Sequence, residues 1–430
     1  MADLHVTSST LALRFSRGEK VGGLVADLSV PLTAVVDVEV VAEPLREKLG
    51  LRFPGLDLPG VRKVGTWRRR GERTLVSVRK GQPALRVRLT GRRYGALLVG
   101  ADDAAALAAD IAAARTAAGG VREVRIRIDG EPPLGATLTL PADSGAPVPA
   151  VVLASGSGPL DRDSNDRRAR FDVAAQLAGA LAGAGLASLR YDKRGVGESP
   201  GDWRAAGLSD NVDDLGRARA ALAARPEVDA DRILLAGHSE GALLATALAA
   251  RGAPVRGVVL LSASATPGEE LLRWQARRIA PTLPRPVRAV LRLLRVDLDK
   301  KVAANHEKIK ATTTDVARLG GAKVNARWLR EFLAHDPRTD LARISVPVLA
   351  ITGEKDLQVP TADLDVIAAT VRGPVQVHRF PDLTHTLRSQ AGAPSLGAYR
   401  KELREPVNPE VLGAVIQWCR EVAGLDRVPD

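Results

Sequence analysis

A single cysteine, Cys419, leaves the 430-residue chain without the means to form an internal disulfide. Aromatics are scarce: three tyrosines and five phenylalanines do not furnish the basic-aromatic platform on which nucleic acid stacks, and no DNA-reading motif stands in for it. No run approaches the ~18 uninterrupted apolar residues of a membrane-spanning helix. The first 20 residues carry charges but no apolar core of signal-peptide length, so a cytoplasmic location is expected. Histidine is also rare, six in all, which makes each one easy to weigh as a catalytic base.

What is present is a 45% hydrophobic composition, ordinary for a folded protein, on a chain long enough for two domains. Lys and Arg outnumber Asp and Glu by 62 to 50. The excess is concentrated in residues 1–120 and 266–345, and the remainder is slightly acidic. With nucleic acid disfavoured, anionic substrates or membrane surfaces are the expected partners of this charge.

Residues 1–120 alternate at period two, in segments at 10–15, 24–30, 35–41, 73–78 and 85–89 separated by Gly and Pro, which predicts short strands. An Ala/Leu segment from Ala101 to Ala118 predicts one closing helix before Gly119-Gly120. Strands followed by one helix, with Pro54 to Val61 and Tyr94 to Val99, resemble bacterial pleckstrin-homology-like domains. That resemblance implies a small β-rich barrel over residues 1–120, able to meet an anionic lipid surface or an acidic protein. Trp67-Arg68-Arg69-Arg70 could make such a contact, although a solvated strand or turn accounts for it as well.

The strongest signal lies further on. Gly237-His238-Ser239-Glu240-Gly241 follows the apolar run 233–236 and precedes an Ala/Leu-rich helix, the strand–turn–helix setting of a nucleophile elbow. Serine at its free pKa is a poor nucleophile, so a histidine and an orienting carboxylate should follow in the order Ser, acid, His. Asp356 sits in a polar turn after the β-branched run 346–351, with Glu354 and Asp363 as its rivals. His385 sits in a turn after the alternating run 375–380; His378 belongs to that run itself. An oxyanion needs two backbone donors, for which the N–H groups of Ser157, in the Gly/Ser loop after a strand at 148–153, and of Glu240 are the expected pair.

Residues 134–141, Gly156 to Asp163, Arg190 to Ser199, the elbow and the Asp356 and His385 turns together resemble the α/β-hydrolase fold, in particular its bacterial esterase, serine-aminopeptidase-like and acyl-thioesterase-like branch. Such relatives often have His-Gly where this chain has Ser155-Gly156. The expected fold is therefore α/β: a mostly parallel, doubly wound sheet over residues 121–430, with helices at 171–184 and 211–224 and strands at 186–191 and 258–262. Alternation stops between 266 and 345, where helix-like segments at 271–279, 286–294, 299–311 and 326–334 predict a helical lid. Trp274, Leu291, Leu294 and Trp328 are candidates to line a pocket beneath it. Asp161 to Asp163, with Asp192 and Arg194, read as a salt-bridged pocket floor rather than a metal site, since no His or Cys cluster accompanies them. The expected activity is hydrolysis of an ester or thioester through an acyl-enzyme, with no metal and no organic cofactor. An aminopeptidase or acyl-peptidase, and a catalytically inert binding protein on the same fold, are the alternatives.

Overall fold

The computed structural model describes all residues except 1, 7–9, 70–71, 91, 118–120, 143–144, 168, 283–285, 287, 289–292, 294–296 and 427–430. The first hundred residues build two sheets. β1 (Asp3–Val6), β2 (Thr10–Arg14) and β3 (Leu28–Pro31) form an antiparallel triplet, with the short helix α1 (Arg17–Gly23) between β2 and β3. β4 (Val35–Val41), β5 (Leu51–Leu58), β6 (Arg62–Arg69), β7 (Glu72–Arg79), β8 (Ala84–Leu89) and β9 (Ala96–Gly100) form a second sheet in the order β4-β8-β9-β7-β6-β5, in which only β7 and β9 run parallel. Inward residues of both sheets share one core, Leu11 and Leu13 with Leu75, Leu85 and Leu97, closed by Ile111 of helix α2 (Ala104–Ala117). The region is thus β-rich as expected. β5 and β6 are strands that period-two counting passed over. β6 shows no such alternation, with Val64 to Trp67 all buried and Arg68 and Arg69 both exposed; Arg70 and the Gly119-Gly120 junction lie outside the described residues.

The rest of the chain is organised by an eight-stranded sheet. It comprises β10 (Arg122–Ile128), β11 (Leu134–Leu140), β12 (Val148–Ala154), β13 (Ala187–Tyr191), β14 (Val228–His238), β15 (Gly257–Leu261), β18 (Val348–Gly353) and β19 (Val375–Phe380). Their order is β10-β11-β13-β12-β14-β15-β18-β19; β10 and β11 pair antiparallel to their neighbours and the other six run parallel. Parallel strands must be covered on both faces, so they read as continuous apolar runs whose successive residues face opposite sides. In β12, Ala150 and Val152 pack on the side of helices α4 (Leu208–Ala223) and α5 (Glu240–Ala250). Val151 and Leu153 pack on the other side, against α3 (Val173–Gly183) and the C-terminal helix Pro409–Val422. Cys419 of that last helix is fully buried.

Between β15 and β18 lie α6 (Gly268–Ile279), α7 (Leu298–Lys310) and α8 (Ala326–Ala334), close to three of the expected helices. Most of the fourth, 286–294, falls outside the described residues. The segment also holds a hairpin that helical reading missed, β16 (Val316–Leu319) with β17 (Ala322–Asn325). Its two-residue turn, Gly320-Gly321, has φ of 59° and 84°, which glycine adopts without steric cost. No helix among the described residues is long and apolar enough to cross a membrane.

Candidate active site

The six parallel strands end on one edge, where chain reversals gather side chains above the sheet. β14 stops at His238, α5 starts at Glu240, and the single residue between them, Ser239, takes φ 57° and ψ −120°. So tight a reversal needs both flanking glycines. A Cβ at Gly237 would lie 2.0 Å from the Gly241 carbonyl oxygen, and one at Gly241 would lie 2.1 Å from that of Ala154. The first N–H groups of α5 have no partner within the helix and face the reversal.

Asp356 and His385 come to the same edge from the turns after β18 and β19. His385 Nδ1 lies 2.8 Å from Asp356 Oδ2, and Asp356 Oδ1 accepts the N–H groups of Gln358 at 2.7 Å and Val359 at 2.9 Å. Burial alone would raise the Asp356 carboxyl; the facing imidazole and the two N–H groups hold it below its ordinary value. His385 is fixed against the reversal by its own backbone: its carbonyl accepts from His238 Nε2 at 2.8 Å, and the two rings stand 5.0 Å apart. His238 is buried, and that burial drops its pKa to about 3, so it stays a neutral donor. Among the rivals, Glu354 is exposed. Asp363 is buried but consumed in tying down the loop after β15, where it accepts from Ser264, Ala265 and Thr266. His378 stays in β19, 2.8 Å from Gln376.

The loop after β12 approaches from the other side. A Cβ on Gly156 would stand 3.5 Å from Ser239 Cβ, so the backbone passes directly over the serine. Lys193, two residues beyond β13, reaches across: its Nζ donates to the Gly156 carbonyl at 2.6 Å and to Glu240 Oε2 at 3.1 Å. In a trans peptide the N–H points opposite to the C=O, so this bond aims the Ser157 N–H away from Lys193. Glu240 Oε1 accepts from Asn211 Nδ2 at 2.9 Å and Trp328 Nε1 at 3.0 Å. Sequence reading assigned no role to Lys193 or Asn211, although Lys193 stands within a stretch singled out for its resemblance, just past a parallel strand's C-terminal end.

A cavity of about 250 Å³ opens beside Glu240, lined by Ser157, Lys193, Asn211 and Trp328 and walled by Lys323 and Val324 of β17. Trp328, stacked 4.7 Å from Phe332, is among its lining residues. Trp274 is not; it packs with Leu243, Leu271 and Phe332, because on a helix covering a core the largest apolar side chain turns to the helices beneath. Leu291 and Leu294 lie outside the described residues. Below the loop, Arg162 pairs with Asp192 at 2.6 Å and Glu198 at 2.7 Å, and Arg194 with Asp214 at 2.7 Å. Among the described residues no group of His, Cys, Asp or Glu is placed to hold a metal ion.

The chain is similar to several known proteins. The esterase EstD of Thermotoga maritima is 29% identical over 284 residues, which is 65% of this chain and 64% of that protein, so the chain spans less than two thirds of its relative. An uncharacterised protein of Mycobacterium tuberculosis is 37% identical over 114 residues, 26% of this chain and 36% of its own. Among solved structures, Est1E from Butyrivibrio proteoclasticus with bound ferulic acid aligns at TM-score 0.49 and 18% identity over 70% of this chain and 99% of its own. The proline iminopeptidase of Mycobacterium smegmatis aligns at TM-score 0.47 and 18% identity over 71% and 100%. The family model described as serine aminopeptidase, S33, matches residues 170–389, a span that holds Ser239, Asp356 and His385, and the chain belongs to that family of α/β-hydrolases.

Proposed function

We propose that the protein is a serine hydrolase of carboxylic esters or thioesters that works through an acyl-enzyme on Ser239. The observation that carries this reading is the buried His385–Asp356 pair, tied through the His385 carbonyl to His238, the residue before a serine held at positive φ between strand and helix. Ser239 Oγ attacks the substrate carbonyl while His385 Nε2 takes its proton. Asp356 keeps Nδ1 protonated and stabilises the imidazolium. The oxyanion is received by the N–H groups of Ser157 and Glu240. His385 then protonates the leaving alcohol or thiol, activates a water to attack the acyl carbonyl, and returns the proton to Ser239 as the acid departs. The segment between β15 and β18 acts as a lid, setting acyl size through Trp328 and β17. The esterase relative from Thermotoga maritima supports the substrate class.

An aminopeptidase would need a carboxylate to grip a free amine. Glu240 is the one carboxylate among the described residues that line the cavity, and three donors already occupy it. The ester reading is therefore favoured. Labelling with a fluorophosphonate, together with assays on p-nitrophenyl esters of increasing acyl length, acyl-CoAs and aminoacyl amides, tests it. Labelling should vanish in Ser239→Ala. Ser239→Ala and His385→Ala should each lower kcat about a thousandfold or more, since such residues act as a unit. Asp356→Asn should be severe and Glu354→Gln mild. Labelling that persists in Ser239→Ala, or turnover confined to aminoacyl amides, would overturn the reading.

A further inference from the structure

A second cavity, of about 430 Å³, lies between the β-rich region and the segment ahead of the C-terminal helix. One wall comes from β3, the start of β7, the end of β8 and the turn before β9; the other comes from residues 404–406, ahead of the C-terminal helix. Four arginines line it, Arg73, Arg92 and Arg93 from the first wall and Arg404 from the second, against one carboxylate, Glu405. Among the described residues no guanidinium of the four makes a hydrogen bond or an ion pair. Most arginines near the proposed active site are paired; Arg162, Arg190, Arg194 and Arg217 all hold carboxylates.

Two of the cleft guanidiniums are instead held by aromatic faces, Arg93 at 5.4 Å from the Tyr94 ring centroid and Arg73 at 5.9 Å from that of Phe53. Burial, followed by the like charges of Arg68, Arg404 and Arg93, lowers the Arg73 pKa, and burial lowers that of Arg92. Like charges gathered without a protein counter-charge are unfavourable, and a bound anion relieves that cost.

We propose that this cleft binds a small multivalent anion carrying phosphoryl groups. One carboxylate leaves most of the positive charge uncompensated, which calls for a ligand with more than one negative charge. The planar fork of arginine matches phosphate oxygens two at a time, and the volume falls within the range of small-ligand sites. Because the cations come from both walls, the ligand bridges the two parts of the molecule. It also sits at one end of the segment that braces the His385 loop. Glu402, two residues before Arg404, accepts the hydroxyls of Thr384 and Thr386 on either side of His385. Arg388, from the same loop, donates to the Glu405 carbonyl.

Calorimetric titration of the full chain with inorganic tripolyphosphate tests the site, with flotation on phosphatidylcholine vesicles, with and without phosphatidic acid, whose phosphomonoester can carry two negative charges, as the second arm. The cleft reading expects saturable binding that Arg404→Ala and the double variant Arg92→Ala/Arg93→Ala each weaken by about tenfold or more. Arg46→Ala, an exposed arginine that does not line the cleft, should bind like the unmodified protein. Tripolyphosphate binding without vesicle capture assigns a soluble ligand. Capture that requires phosphatidic acid and is lost in Arg404→Ala assigns a lipid headgroup. No saturable binding of either probe, or an equal loss in Arg46→Ala, overturns the proposal.

Discussion

Lys193 shows how much of a site one buried cation can organise. It joins the carbonyl of the peptide that carries the Ser157 N–H to the side chain of the residue that supplies the Glu240 N–H, so both proposed oxyanion donors are aligned through one ammonium group. Lys193→Met should therefore reduce kcat for a small ester by roughly ten- to a hundredfold with little change in KM, in the manner of a lost positioning contact. Part of that loss comes from leaving Glu240 one donor short in a buried place, so Lys193→Met/Glu240→Gln should recover some activity. A KM effect alone, or no recovery in the double variant, would reduce Lys193 to a packing residue. Ser239, Asp356 and His385 were readable as candidates because each lies in a short polar turn directly after an apolar strand. Lys193 was not, because its partners, Gly156 and Glu240, come from two distant segments and chain order says nothing of which side chains meet.

Elements differ in the same way. The parallel strands and their covering helices were legible, since burial on both faces writes long apolar runs into the sequence. The β16–β17 hairpin was not: its strands are four residues each and hold no fully buried side chain, so neither strand shows a buried face. The signal that would have found it is Gly320-Gly321, a two-residue pair that favours a tight hairpin turn over a helix. Replacing both with alanine forces two side chains into positive φ, at about 1 kcal/mol each, and should fray the wall that carries Lys323 and Val324. If that wall shapes the acyl pocket, kcat/KM should fall further for long-chain p-nitrophenyl esters than for the acetate. An equal fall across the series would take the hairpin out of substrate selection.

At the scale of the whole molecule, the two parts are built to fail at different acidities. His238 refuses in the folded state the proton its unfolded counterpart accepts near 6.5, so the hydrolase part loses stability as pH drops from about 6.5 toward 3. Burial works to raise the Glu19 carboxyl in α1, yet hydrogen bonds from Ser16 and Ser77 hold it down to about 2. Its contribution to the β-rich part is whole above about 4.5 and disappears as pH falls through about 2. Calorimetry between pH 3 and 8 should show the hydrolase transition moving first. His238→Gln should flatten that movement, and Glu19→Gln should lower the β-rich transition at neutral pH while flattening its acid limb. One pH dependence common to all three proteins would mean that neither group governs its part. Finally, Cys419 is enclosed between its helix and the sheet, and burial pushes its thiol up to about 12. The native molecule should accordingly be silent to thiol reagents, and slow modification of this one sulfur in mild conditions would time the openings of the hydrolase core without any label being introduced.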